Sequence, residues 1–344
     1  MPIPDFRGHQ VLVTGAAGFI GSHLVDALVA RGAAVRALDN LVSGRRENLA
    51  QHGERVEFLE GDIRDSETCR RACRGATYVF HQAALGSVPR SLADPATTFA
   101  VNATGTATIF AAARDENVRR VIYASSSSVY GDSEVLPKRE GEEGRPLSPY
   151  ALSKRVNEEL ADVFSRCFRL ELIGLRYFNV YGPRQDPEGP YAAVLPRFFK
   201  ASFAGKAPVI FGDGEQSRDF TFVSDAANAN LLAAGAPAQA CGRAYNVAGG
   251  RRTTINELAR AVREAVGGAP EPKYEQARPG DVRHSLADGS LSKHVLGYEP
   301  AVELSEGLAR AKRHYAEAAD GASSHLEVRP ATRQKETDGN ERSA

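Results

Sequence analysis

Four consecutive hydroxyls, Ser125 to Ser128 in SSSSVYG, follow the apolar run RVIYA. No carboxylate lies among them. Farther along, in SPYALSKRVNEELADVF, Tyr150 and Lys154 stand at i and i+4 and share one face of the helix this stretch predicts. Pro149 suits the first turn of that helix. A phenol has an ordinary pKa of about 10. Neighbouring cations, the Lys154 ammonium and a second beside the reacting carbon, favour the phenolate and draw that value down towards neutrality. Such a tyrosine can take a proton from an alcohol while hydride leaves the same carbon. A Tyr-x-x-x-Lys pair alone is common on solvent-facing helices, so its meaning depends on what precedes it.

What precedes it is VLVTGAAGFIGSHL. Gly15 permits a tight turn after the first strand, Gly18 lets backbone N–H groups approach a phosphate, and Gly21 lets the helix pack closely on the strand. The helix N-terminus then faces the anion. Asp39 ends the second strand, at the spacing of a carboxylate that holds an adenosine ribose diol. A carboxylate there repels a 2′-phosphate and favours NAD over NADP, although Arg45 and Arg46 nearby keep NADP open. Asp62 and Ile63, in EGDIRD, are placed either to flank an adenine or to form a strand-end turn. His81, at another strand end, reads as a structural histidine.

The elements that must position these groups are legible as a pattern. Strands are expected at 11–14, 34–39, 56–62, 77–82, 120–125 and 172–179, several of them apolar on consecutive positions as in strands covered on both faces. Helical stretches alternate with them, which predicts an α/β fold, a doubly wound parallel sheet of the Rossmann type. After about residue 180 Gly and Pro become frequent. There the chain predicts a smaller C-terminal α/β lobe over the carboxyl edge of the sheet, with a helix near Asp225 and another behind the capping box Thr254–Glu257. The expected division is 1–180, 181–317 and a disordered polar tail over 318–344.

The 344 residues are 42% apolar and 25% charged, with 43 basic and 43 acidic side chains. That balance gives no electrostatic case for nucleic acid or a membrane as partner. No apolar run reaches bilayer length, and MPIPDFRGHQ has no apolar core of a signal peptide. Cys69 and Cys73 lie one turn apart without a second Cys or His pair, so the four cysteines read as reduced thiols, no metal is expected, and the cytoplasm is the expected location.

GAAGFIG, Asp39, SSSSVYG, Tyr150-x-x-x-Lys154 and RYFNVYGP together resemble the extended short-chain dehydrogenase/reductase family, and within it the NAD-dependent nucleotide-sugar epimerases and dehydratases. The resemblance covers about residues 8–315. It implies a Rossmann domain with tightly held NAD and a lobe for a UDP-sugar. It also implies a homodimer, packed through the helix near 100–115 and the one starting at Tyr150. Beyond the glycines and Asp39, the implied NAD contacts are Phe19, Ile20, Asn40, Asp62 and Ile63. Gln82, Ala83, Ala84 and Tyr177 join them, with Tyr150 and Lys154 at the reacting end.

The resemblance also bears on the serines. The family's 4,6-dehydratases carry an Asp-Glu pair before Val-Tyr-Gly, and its UDP-glucuronate decarboxylases carry a Glu. This chain has Ser127 and Ser128 there. Ser126 aligns with the hydroxyl that assists the tyrosine, with Ser127 as a stand-in. The set Ser126, Tyr150, Lys154 implies oxidation and reduction at one carbon, which is 4-epimerisation. The implied substrate contacts are Asn179, Arg218 and Arg278 towards the diphosphate and Gly86, Ser87 and Ala193 towards the sugar, with Ser126, Ser127, Tyr150, Val194 and Asp281 as further substrate contacts. Ser285 takes the position where strict UDP-glucose epimerases carry a tyrosine. ALGSVPRS and VRHSLAD look most like UDP-N-acetylglucosamine 4-epimerases of bacterial surface-polysaccharide pathways. Plain UDP-glucose/galactose and UDP-uronates stay open as substrates. So do a reductase, a dehydratase and a non-catalytic NAD-binding relative.

Overall fold

The structure is a computed structural model that describes residues 3–188, 192–277 and 282–324, with side chains as far as 317. Six strands of the first half are β1 (Gln10–Thr14), β2 (Ala34–Asp39), β3 (Val56–Glu60), β4 (Tyr78–His81), β5 (Arg120–Ser126) and β6 (Glu171–Tyr177). A seventh, β7 (Arg243–Val247), comes from the second half. All pair in parallel, in the order β7-β6-β5-β4-β1-β2-β3. The strand order reverses between β1 and β4, and a crevice opens there at the carboxyl ends.

Both faces of the sheet are dry. On one face Val11 and Val13 of β1 pack with Leu24, Val25 and Leu28 of α1 (Phe19–Val29). On the other, Leu12 packs with Cys69 and Cys73 of α2 (Ser66–Cys73) and with Ile109 and Phe110 of α3 (Gly105–Asp115). Burial pushes both thiols up to about 12, so they pack as small apolar groups. The second face also receives Ala161 of α4 (Pro149–Phe168). Its N-cap Ser148 accepts a hydrogen bond from the Ala151 N–H (3.1 Å), and Pro149 occupies the first turn.

The lobe is built around Phe198 and Phe199 of α5 (Val194–Phe203), which pack with helices farther along the chain. α6 (Val223–Gly235) leaves the lobe, however, and lies on the sheet beside α1 with Ala226, Ala229 and Ala233 inward. β7 then extends the sheet beyond β6. The chain thus crosses between the two units more than once, and the expected boundary at 180 does not separate them cleanly. α7 (Ile255–Val266) carries the expected capping box: Thr254 Oγ1 accepts from the Glu257 N–H (3.1 Å) and Glu257 Oε2 accepts from the Thr254 N–H (2.8 Å). α8 (Leu304–Ser324) brings Leu308, Ala311 and Tyr315 to the lobe core and runs on to Ser324. The expected tail therefore starts as helix over 318–324; the rest of it lies outside the described residues.

Arg120 ties these parts together. It is 2% exposed, pairs with Glu171 (2.6 Å), and donates to the Ala233, Ala234 and Ala236 carbonyls at the end of α6 (3.0, 3.0 and 2.6 Å). The Ala233 carbonyl also accepts from the Ala236 N–H (3.3 Å), and carbonyls at a helix end otherwise lack the N–H of a following turn. Arg120→Leu should destabilise the protein by about 3–5 kcal/mol in urea unfolding, because one partner of a buried charged network is removed. A loss below about 1 kcal/mol would mean the carbonyls find water instead.

Candidate active site

A cleft of about 560 Å³ runs along the carboxyl ends of the sheet, and a smaller one of about 360 Å³ adjoins it on the lobe side. They share Asn179, Val180, Gln185 and Ala193 in their linings. Gly15, Gly18, Phe19, Ile20 and Gly21 form one end of the larger cleft. Gly15 has φ 64°, and a Cβ there would lie 2.7 Å from the Ala83 nitrogen. A Cβ on Gly21 would lie 2.0 Å from the Gly15 carbonyl oxygen. α1 opens at Gly18 with no side-chain cap, so its first N–H groups face the cleft without a partner from a capping residue. That is an open anion cradle.

Asp39 closes the far side. Its Oδ2 accepts from the Ala17 N–H (2.9 Å) and its Oδ1 from the Leu41 N–H (2.8 Å). Burial pushes its carboxyl up, against the pull of these backbone donors. The arginines that kept a 2′-phosphate in play are engaged elsewhere and line neither cleft. Arg45 pairs with Asp186 (3.3 Å), and Arg46 lies over the Phe58 ring (4.5 Å). Asn40 and Ile63 line the cleft as expected, but Asp62 does not. It is gripped by Arg64 through two bonds (2.9 and 2.7 Å) and by Asn40 (3.0 Å), and the Arg64 guanidinium holds its carboxyl well below the usual range. Arg64 itself lines the cleft, a contact that sequence reasoning missed.

Gln82, Ala83 and Ala84 line the cleft just after β4. Beneath them His81 is buried between Thr14 Oγ1 (2.7 Å) and Thr106 Oγ1 (3.0 Å), and its pKa is pushed down to about 3 by burial. It is a neutral structural group. Tyr177 donates to Gln82 Oε1 (3.0 Å) and accepts from Asn230 Nδ2 (2.8 Å), while Gln82 Nε2 donates to Asn230 Oδ1 (3.0 Å). This closed triangle fixes Gln82 and Tyr177 at the cleft wall. Asn230 was not foreseen. A buried asparagine in the Ala-rich run AANANLLAAG is the signal that could have found it.

The reactive end lies where β5 stops. Ser126 ends the strand and caps the turn Ser127–Tyr130, accepting from the Ser128 N–H (3.1 Å). Its hydroxyl is near enough to the Tyr150 phenol to favour the phenolate. Ser126, Ser127, Tyr150 and Lys154 all line the larger cleft. Lys154 Nζ donates to the Ala124 carbonyl (2.8 Å), and burial pushes its pKa down to about 8. The Tyr150 pKa is raised by burial, against the pull of Ser126. Without the nicotinamide cation, the other half of the expected pull, Lys154 leaves this phenol above its ordinary value. Desolvation of the phenolate outweighs what the neighbouring groups give back. Asp39 is the one carboxylate among the described lining residues of the two clefts, and it belongs to the opposite end.

The smaller cleft is lined by Ser87, Val194 and Arg218, with Phe211, Gln216 and Phe220. Asn179 reaches it from the strand end, held by its Nδ2 on the Asp219 carbonyl (3.3 Å). Arg218 is oriented by the Ser217 carbonyl (3.0 Å). Gly86 lines the larger cleft. Ser285 lines neither. Its N–H donates to the Ser217 carbonyl (3.0 Å), which binds the segment to the Ser217–Asp219 strand, and the residue is only 9% exposed. Arg278 and Asp281 lie outside the described residues.

A family model described as the NAD dependent epimerase/dehydratase family matches residues 11–248. UDP-glucose 4-epimerase of Mycolicibacterium smegmatis is 43% identical over 305 residues, 88% of this chain and 96% of its own. The solved UDP-N-acetylglucosamine 4-epimerase of Methanobrevibacter ruminantium, in complex with UDP-N-acetylmuramic acid, superposes with a TM-score of 0.87 at 39% identity, over 91% of this chain and 99% of its own. The Thermus thermophilus UDP-glucose 4-epimerase complex with NAD gives a TM-score of 0.82, also at 39% identity, over 90% and 99%. The chain belongs to the NAD-dependent epimerase/dehydratase family, and NAD is its cofactor. The open cradle at Gly18, the carboxylate at Asp39 and the buried Lys154 fit that molecule's diphosphate, ribose diol and reactive end.

Gly21→Ala would force its Cβ into the Gly15 carbonyl. Overpacking of this kind costs about 1–3 kcal/mol. The variant should therefore purify with little NAD, measured by nucleotide release and absorbance, while its far-ultraviolet circular dichroism stays that of the parent. Full NAD occupancy would mean that the strand and helix can part without loss.

Proposed function

We propose that the protein interconverts UDP-N-acetylglucosamine and UDP-N-acetylgalactosamine by reversible 4-epimerisation. The observation that carries the reading is Ser126, Tyr150 and Lys154 together in a cleft whose reactive end, among the described residues, holds no carboxylate. Elimination of water needs a further acid and base there; moving one hydroxyl proton needs only the Tyr150 phenol. When bound, NAD supplies a reversible hydride acceptor. Tyr150 takes the proton of the 4-hydroxyl with the help of the neighbouring Ser126 hydroxyl and returns it after the sugar has turned its other face. Lys154 contributes positive charge that favours the phenolate. Asn179 and Arg218 hold the diphosphate from the lobe side and keep the oxidised sugar in place while it turns.

Room beside the sugar supports the N-acetyl form. A Cβ built on Gly86 meets nothing within 4 Å, and the neighbouring lining residues Ser87 and Ala193 are small. Ser285 takes no part in this support. A second reading, plain UDP-glucose and UDP-galactose, is favoured by the similarity to the M. smegmatis and T. thermophilus proteins. We also infer a homodimer through α4, where Leu152 and Val163, three turns apart, are 45% and 42% exposed. Among the described residues no helix is long and apolar enough to cross a membrane.

Proton NMR of the anomeric region with purified protein, UDP-N-acetylglucosamine and no added cofactor tests the reading. The UDP-N-acetylgalactosamine signal should grow to a stable ratio. Conversion of UDP-glucose alone would keep the chemistry and move the substrate to the second reading. Tyr150→Phe should keep its NAD and lose turnover by about 10²–10⁴-fold, the usual contribution of a positioned general base. An unchanged rate would remove Tyr150 from the mechanism.

A further inference from the structure

Behind the reactive serines, between β5, β6 and α4, lies a buried ionic cluster that touches neither cleft except through Ser125. Glu158 stands one turn beyond Lys154 on α4 and is 10% exposed at its side chain. Its Oε1 accepts from Ser125 Oγ (2.5 Å) and from Arg176 Nε (2.8 Å), and its Oε2 accepts from Arg176 Nη2 (2.8 Å). Arg176 also binds Glu143 and the Tyr130 hydroxyl (3.0 Å), and its guanidinium lies over the Tyr130 ring (5.0 Å). Glu143 in turn meets Arg155 (3.3 Å), which is half-buried and shared with Glu159 (3.2 Å).

One buried guanidinium thus sits between two carboxylates, and the nearest other buried cation is Lys154. The hydrogen bond of Lys154 to the Ala124 carbonyl gives it a neutral acceptor, not a counter-charge. Glu158 is the charge that favours its ammonium form. Ser125 is the residue before Ser126 on β5, and its hydroxyl is the one strand-end group tied to the cluster.

We propose that Glu158 is a positioning residue of the active site. Through Ser125 it holds the strand end that presents Ser126, and through its charge it keeps Lys154 an ammonium. The groups that face this pair are few. Tyr123 and Ser125 face it from β5, Arg176 from β6, His81 from β4, Glu143 and Tyr130 from the segment after β5, and Tyr150 and Asp162 from α4. Tyr123 and Tyr130 are buried phenols pushed far above neutrality, and His81 is neutral, so none of them replaces the charge of Glu158.

The kinetic half of the test rests on the epimerase reading; the Lys154 half does not. In the holoenzyme, acylation of Lys154 by a small amine reagent is followed against pH by peptide mass spectrometry. The parent midpoint is expected near 8, the value to which burial takes Lys154. Glu158→Gln keeps the shape and removes the charge, so the ammonium is lost at lower pH and the midpoint moves down. Glu158→Asp keeps the charge and should hold the midpoint near that of the parent. With a converting UDP-sugar, the alkaline limb of kcat/KM should move down with the midpoint in Glu158→Gln, while KM stays close to the parent's because Glu158 lines neither cleft. Ser125→Ala cuts only the tether and should lower kcat by about tenfold, at the low end of what a displaced proton-transfer group costs, with the limb unmoved.

A Glu158→Gln protein that holds NAD but titrates Lys154 at the parent's midpoint overturns the charge role. A Ser125→Ala protein with the parent's kcat overturns the tether. A shifted midpoint in a protein that converts no UDP-sugar leaves the charge role standing and removes the epimerase reading instead. If Glu158→Gln does not fold, Glu158→Asp and Ser125→Ala still decide: a large midpoint shift in the charge-conserving variant counts against the proposal.

Discussion

A parallel sheet covered by helices on both faces has nowhere to put a polar side chain except at its strand ends. That constraint organises this molecule. β1, β2, β4, β5 and β6 each end in residues that line the same crevice or lie within three of it: Gly15, Asp39, Gln82, Ser126 and Tyr177. The reversal of strand order between β4 and β1 opens the crevice, because the connections leave those two strands on opposite faces. The lobe adds a second wall. Its cleft and the sheet's cleft meet at Asn179 and Ala193, so a ligand anchored on the lobe and a cofactor anchored on the glycine turn necessarily meet at the carboxyl end of β5.

That meeting point is costly to build. Lys154, Arg176 and Glu158 are withdrawn from water, and an isolated buried charge is far more expensive than a paired one. The protein offsets the cost by sharing: one glutamate serves an arginine through two hydrogen bonds and a serine through a third. Even so, Lys154 stays pushed down to about 8, and the Tyr150 phenol is raised rather than lowered. A phenol held protonated in the protein alone is a poor base. When bound, NAD would add positive charge from its oxidised ring beside the phenol and favour the phenolate. Base strength and oxidant then arrive together, which limits proton loss to the complex able to take the hydride as well.

Much of this was legible from residue order. The six strands of the first half show as apolar runs because burial on both faces requires apolar residues at every position. The glycine turn shows because Gly15 has a left-handed φ and because no Cβ fits at Gly21. β7 was not legible: RAYNV carries an arginine and an asparagine and lies in the half richest in turns. Its asparagine is buried because Tyr130 donates to its Oδ1 (2.7 Å) and its own side-chain amide reaches the Lys138 and Asp288 carbonyls (3.0 Å each). Those partners are distant in sequence and leave no periodic trace. The same holds for Asn230, Glu158 and Arg176, whose partners come from other elements. Asp62 and Ser285 show the opposite case. Motif position put them at the ligand, but local pairing with Arg64 and with Ser217 removed them from the lining.

Substrate choice follows from what the walls lack. Gly86, Ser87 and Ala193 present little side chain, so under the proposed reading the sugar end would discriminate by leaving space rather than by making contacts. Space distinguishes poorly: a group that fits without touching gains nothing, and its absence loses nothing. Filling or emptying a small apolar volume is worth only about 1–3 kcal/mol. Asn179 and Arg218 line the lobe cleft, and an amide and a guanidinium suit a diphosphate, which all the candidate substrates share. A site built this way fixes the nucleotide firmly and the sugar loosely. Loose hold on the sugar is also what the chemistry demands, since both faces of the oxidised carbon must in turn reach the same hydride donor and the same phenol.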